Sequence, residues 1–296
     1  MGYKYKYIVS LYNIVMSIVS CDVCGGMGNQ LFQIITCISY GLNNRKKIII
    51  PYYEKSPGIT PRPTYWNNLL KPFVVFTNKH NTNSIPHKMS IYKEIQFAYD
   101  KIPTFDDSLY LKGYFQSYKY FDDNISKILQ MLRFDDRKNE IFQENRLYFD
   151  GVINDICAIH FRLGDYKNLQ EYHPLLDITY YNDALTRLCE SKNISRVLYF
   201  CQEHDNEIVL HHVNTIQDSF PHIDFVKVSD TICDWKQMVM MTLCNHHIIA
   251  NSTFSWWGAY LSSSPNKKVY YPNVWFGPKN SHHNIDDLFP YEWEKI

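Results

Sequence analysis

Neither sign of charge is in excess: 30 Lys and Arg stand against 30 Asp and Glu in 296 residues. A chain with no overall field is not drawn as a whole onto nucleic acid or an anionic membrane, so any phosphate recognition has to be local. There is no internal repeat, no low-complexity tract and no long charged tail. No disulfide framework is implied either. The eight cysteines are scattered, and several sit inside apolar runs such as Ile156-Cys157-Ala158-Ile159, where they read as small buried hydrophobes. Cys21-Asp22-Val23-Cys24 is a C-x-x-C without a second pair, for which packing is the preferred reading over metal or redox chemistry. The paired histidines 211/212, 246/247 and 282/283 point to different faces of any regular element, so no metal is expected. A membrane-spanning run is missing as well: residues 7–19 are apolar but fall short of the ~20 that a span needs, and Asn13 interrupts them. They are expected to form a first core strand in a soluble, cytoplasmic protein, with reduced cysteines.

With 45% hydrophobic and 16% aromatic residues, the chain can bury large cores, and its length suits two domains, 1–150 and 151–296. After the loop Gly25-Gly26-Met27-Gly28, the apolar residues Leu31, Ile34, Ile35, Ile38 and Leu42 keep helical spacing, and a strand is expected at Lys47–Ile50. From Pro51 to Asp107 the pattern breaks into Pro, Asn and aromatic residues, a length of irregular chain usually reserved for binding or lids. There Tyr52, Tyr53, Tyr65 and Trp66 are candidate sugar-stacking surfaces. A helix is expected over 122–133. From residue 151, strands and helices alternate regularly, which predicts a parallel sheet with covered faces and ligands at the carboxyl ends of its strands.

Three segments carry chemistry. The loop Gly25-Gly26-Met27-Gly28-Asn29-Gln30 lies between a strand and a helix start, where free N–H groups favour an anion; a tight structural turn is the equal alternative. The strand Ile156-Cys157-Ala158-Ile159-His160-Phe161-Arg162 is apolar until His160 and Arg162, which share one face. A guanidinium there suits a diphosphate, although an ion pair between Arg162 and Asp165 would also account for it. Asn251-Ser252-Thr253-Phe254 opens another helix, where the hydroxyls either cap the helix or meet phosphate.

Together these blocks resemble the inverting α-1,2-fucosyltransferases of glycosyltransferase family 11, which use GDP-fucose. The resemblance runs through Gly25–Gln33, Leu111–Phe121, His160–Tyr166, Tyr180–Ala184, Met241–Ala259 and the ending Trp275 to Trp293, in family order over nearly the whole chain. It implies an α/β fold of two Rossmann-like domains facing a cleft, the glycosyltransferase B arrangement, with donor binding mainly in the C-terminal half and acceptor binding in the N-terminal one. It implies no metal cofactor, which agrees with the lack of any Asp-x-Asp. The expected partners are GDP-fucose and a galactose-containing glycan, with transfer to O-2 of galactose. Another linkage, a protein acceptor, or a GDP-sugar-binding module without turnover are the alternatives.

By position, Arg162 would neutralise the β-phosphate with His160 beside it. Gly26, Met27, Gly28 and Asn29 would face the donor, and Ser252, Thr253 and Phe254 would hold phosphate and the nucleotide side. Asp165 and His160 are the candidates for general base, Asp165 being equally an orienter of Arg162. The chain departs from the family at Phe200-Cys201-Gln202-Glu203, where Phe-Ser-Asp-Asp is common, with His204 and Asp205 the nearest substitutes; Tyr118 stands where an acidic residue is frequent.

Overall fold

In the computed structural model, which describes residues 16–57, 61–81, 85–86, 88–152 and 154–296, strands gather into two wholly parallel sheets. The first holds β1 (Ile18–Cys21), β2 (Lys47–Ile48), β3 (Ser90–Lys93) and β4 (Leu109–Lys112) in the order β2-β1-β4-β3. The second holds β5 (Asp155–His160), β6 (Ile194–Phe200), β7 (Asp224–Lys227), β8 (His246–Ile248), β9 (Val269–Tyr271) and β10 (Glu294–Lys295), ordered β10-β9-β8-β5-β6-β7. Of the apolar stretch 7–19, residues 7–15 lie outside the described residues; Ile18 and Val19 begin β1.

The helices are α1 (Met27–Asn43), α2 (Ile125–Leu132), α3 (Phe134–Glu144), α4 (Ile178–Cys189), α5 (Asn206–Ser219), α6 (Asp234–Thr242) and α7 (Thr253–Tyr260). Helix α1 is buried nearly all round, as a helix must be when it packs on a sheet with one face and on other helices with the rest. Its partner across the molecule is α7. Phe32 of α1 sits 4.6 Å from the Trp256 ring and 4.9 Å from the Trp257 ring. Trp257 Nε1 donates to the Gly28 carbonyl at 2.9 Å, and Trp256 Nε1 to that of Leu288 at 2.9 Å. Both indoles are fully buried with their N–H groups satisfied, which is the condition for placing tryptophan in a core.

Three expectations change. The helix expected over 122–133 is a 3₁₀ turn followed by α2, and Arg133 in a left-handed conformation (φ 56°) then separates α2 from an unexpected α3. No Gly or Pro marks that break. The irregular stretch from 51 to 107 contains β3, whose ladder with β4 is formed with residues about twenty positions on. Strand β2 closes after Ile48, and Ile50 makes only an isolated bridge to Thr77.

Candidate active site

Each sheet has a point where the chain, having built outward on one side, returns to build on the other. In the second sheet it lies between β5 and β8, and in the first between β1 and β4. Loops leave such a point in opposite directions and open a crevice at the strands' carboxyl ends. The two crevices form one cleft of ≈ 1090 Å³. Gly26, Met27, Gly28, Asn29, His160, Arg162, Asp165, Ser252, Thr253 and Phe254 all line it. The resemblance implied these ten residues as the site, and the fold puts them on facing walls.

The N-termini of α1 and α7 meet in this cleft. Thr253 Oγ1 donates to Asn29 Oδ1 at 2.9 Å, and Gln116 Nε2 donates to the same oxygen at 3.0 Å. A Cβ on Gly28 would stand 2.5 Å from the Thr253 backbone, so Gly28 serves helix contact. Gly26 has open space around its Cα. Ser252 caps α7, its Oγ accepting the Phe254 N–H at 3.3 Å. The first turn of α1 carries no side-chain cap and no acidic residue. Two positive helix ends side by side, one without a capping side chain, favour an anion between the walls.

Arg162 follows β5 and is pinned from two sides. Its Nη2 lies 2.5 Å from Asp165 Oδ1, and its guanidinium stands over the Tyr166 ring at 4.8 Å. Asp165 Oδ2 accepts Arg62 Nη2 at 3.2 Å, which brings a second cation in from the first half of the chain. The loop is held from beneath by Asp205, fully buried, whose Oδ2 accepts the Gly164 N–H at 2.8 Å while Lys167 Nζ lies 2.7 Å from Oδ1. Gly164 has φ +38°, and a Cβ there would meet Gln202 Oε1 at 2.0 Å. Asp205 therefore secures the turn that presents Arg162. Cys201 is buried, its Sγ 3.4 Å from Asn206 Oδ1.

His160 ends β5 beneath Arg162, its ring 5.2 Å from that of Phe254. Burial, and secondarily the Arg162 charge, push its pKa down to about 3. The imidazole is neutral at physiological pH; its ring packs on Phe254 and its Nδ1 is buried without a hydrogen-bond partner among the described residues.

The chain belongs to glycosyltransferase family 11. The family described as glycosyl transferase family 11 matches residues 18–296. The chain is 26% identical to an alpha-1,2-colitosyltransferase of Escherichia coli over 95% of its own length and 99% of that protein. It is 25% identical to the O-antigen biosynthesis glycosyltransferase WbnK of Escherichia coli over 57% of its length and 56% of that protein. Among solved structures, POFUT1 in complex with GDP-fucose superposes with a TM-score of 0.47 at 12% identity, covering 86% of this chain and 98% of that one.

In this glycosyltransferase the two parallel α/β layers facing a cleft are the glycosyltransferase B arrangement. Of the four expected sugar platforms, Tyr65 lines the cleft, whereas Tyr52, Tyr53 and Trp66 do not. Trp66 is buried and stacks on Tyr52, and the Tyr65 hydroxyl donates to Asp234 Oδ2 at 2.5 Å. Other aromatic residues that line the cleft include Phe97 from the first half and Phe276 and His283 from the end of the chain, Phe97 meeting Phe276 edge-on at 5.0 Å. Phe97 stands in the first half of the chain and the other two in its closing block, so no local periodicity groups the three. Among the described residues, no group of three His, Cys, Asp or Glu is placed to hold a metal ion.

Proposed function

We propose that this glycosyltransferase moves L-fucose from GDP-β-L-fucose, with inversion and without a metal ion, to O-2 of a galactose residue in an acceptor glycan. The observation that carries the reading is the placement of Arg162: at the carboxyl end of β5, held by Asp165 and Tyr166, beside the joined N-termini of α1 and α7. A diphosphate there meets Arg162 and two helix ends, and Arg62 stands one carboxylate away. As the bond between fucose C1 and the phosphate oxygen breaks, charge grows on the β-phosphate, and preorganised donors stabilise it most in the transition state. The walls near Cys201, Gln202 and Asp230 accommodate the nucleoside, and those near Phe97 and Phe276 the acceptor.

A second donor, a nucleotide-linked colitose, is favoured by the relative that aligns over 95% of this chain. Colitose is fucose without its 3-hydroxyl, and a site built to bond a hydroxyl discriminates strongly against a sugar that lacks it. The test is GDP release and product formation with GDP-fucose, GDP-colitose and GDP-mannose against a panel of galactosides, with linkage assigned by NMR. A fucosyl-α-1,2-galactoside supports the reading. Preference for colitose moves the donor assignment, and GDP binding without turnover removes the enzymatic one.

A further inference from the structure

Five acidic residues line the cleft, and four are engaged or placed away from an acceptor. Asp165 is shared by Arg62 and Arg162, Asp230 pairs with Lys227 at 2.6 Å, and Asp234 accepts the Tyr65 hydroxyl. Glu203 lies exposed on the turn after β6, in the layer that carries Arg162. Glu94 is the fifth. It follows β3 directly, at the carboxyl end of the first sheet, and begins the cleft segment Glu94-Ile95-Gln96-Phe97.

Its carboxylate is half-buried and fixed. Oε2 accepts the Tyr114 N–H at 2.8 Å and Oε1 accepts the Phe115 N–H at 2.9 Å. The turn that supplies these donors holds Phe115 at φ 54°, a conformation bulky residues rarely adopt, and Glu94 compensates it. Each oxygen keeps a lone pair beyond its backbone bond. Among the described residues, no lysine, arginine or histidine lies within ion-pairing distance.

We propose that Glu94 is the general base of the transfer reaction, taking the proton of the acceptor hydroxyl. The assignment rests on the GDP-fucose reading above. In the step, the acceptor oxygen bonds to fucose C1 as its proton passes to the Glu94 carboxylate. The bond from C1 to the β-phosphate oxygen breaks, its electron pair leaving with GDP beside Arg162. The proton then returns to water. The ionisation of Glu94 fits this role. Burial raises its pKa to about 7 against the lowering effect of the two backbone bonds, near the optimum for a base working at neutral pH. The titratable groups facing it are the phenols of Tyr92, Tyr114 and Tyr120, all pushed upward and neutral at that pH, with Cys24 and Asp22 beyond Tyr114.

The test separates proton removal from everything else by changing the nucleophile. Azide needs no deprotonation, so E94Q should lose galactoside transfer by about 10²-fold or more in kcat while keeping azide-dependent GDP release from GDP-fucose and the KM for the donor. The acid limb of the wild-type pH–rate profile, near pH 7, should vanish in E94Q. E94D, with its carboxylate withdrawn by one methylene, should keep that limb at a reduced rate, and it carries the test if E94Q does not fold. Equal loss of both reactions in E94Q means that Glu94 only supports its turn and overturns the assignment. So does full retention of galactoside transfer. Wild-type protein that releases no GDP from GDP-fucose with either nucleophile overturns the donor reading instead.

Discussion

Arg62 and Arg162, a hundred residues apart in the chain, hold opposite oxygens of one carboxylate, that of Asp165, at 3.2 Å and 2.5 Å. This makes Asp165 a clamp between the two halves of the cleft, because its lone pairs are directed at two guanidinium groups. We therefore propose Asp165 as the orienter of Arg162, in keeping with the assignment of the base to Glu94 proposed above.

The two roles give different kinetics. Asp165 is 41% exposed, and exposed pairs contribute about 0.2–1 kcal/mol, so Asp165→Asn should cost no more than roughly fivefold per pair. The loss should fall mainly on the donor KM. A drop of about 10² or more in kcat with unchanged KM would restore Asp165 as the base. Steady-state kinetics with varied GDP-fucose reads the difference.

Arg162→Ala should lower kcat by about 10²–10³, the loss that follows removal of one preorganised donor from a developing anion. Arg162→Lys should recover little of it, because the fork that reaches Asp165 and the phosphate together is gone. Near-normal transfer by the alanine variant would remove Arg162 from the phosphate site.

The two cleft glycines should respond oppositely. Gly28→Ala drives a methyl group into the Thr253 backbone and should lower stability by about 1–3 kcal/mol, seen as a fall in Tm. Gly26→Ala meets nothing within 4 Å, so its Tm should hold, and any effect should appear in the donor KM.

Acid sensitivity should carry the signature of His160. Its pKa of about 3 lies far below the ordinary value of 6.5, so between those limits the unfolded chain binds a proton that the folded chain does not. The stabilisation is complete above pH 6.5 and is lost as pH falls toward 3, at up to about 1.4 kcal/mol per pH unit. His160→Asn should flatten the dependence of the urea midpoint on pH in this window. His246 and His247, also lowered by burial, should leave a residual slope. An unchanged slope would show that His160 titrates normally.

Much of the site was legible in the residues themselves. The helical spacing of Leu31, Ile34, Ile35 and Ile38, and the apolar strand ending in His160 and Arg162, placed polar groups at strand ends before any fold was considered. Such signals are local: side-chain periodicity is set by backbone geometry over a few residues. The positions of β3 and β4 were not legible, because their four-residue segments are stabilised by pairing with each other and with β1. Nor was the left-handed Arg133 that breaks α2 from α3. Only the tertiary structure could set Arg62 against Asp165, Gly28 against Thr253, and Glu94 into a half-buried wall where no cation among the described residues pairs with it. Those relationships join residues roughly 20 to 225 positions apart. What a side chain can do chemically was written in its identity, but whether it is desolvated or paired depends on neighbours that only the folded chain supplies.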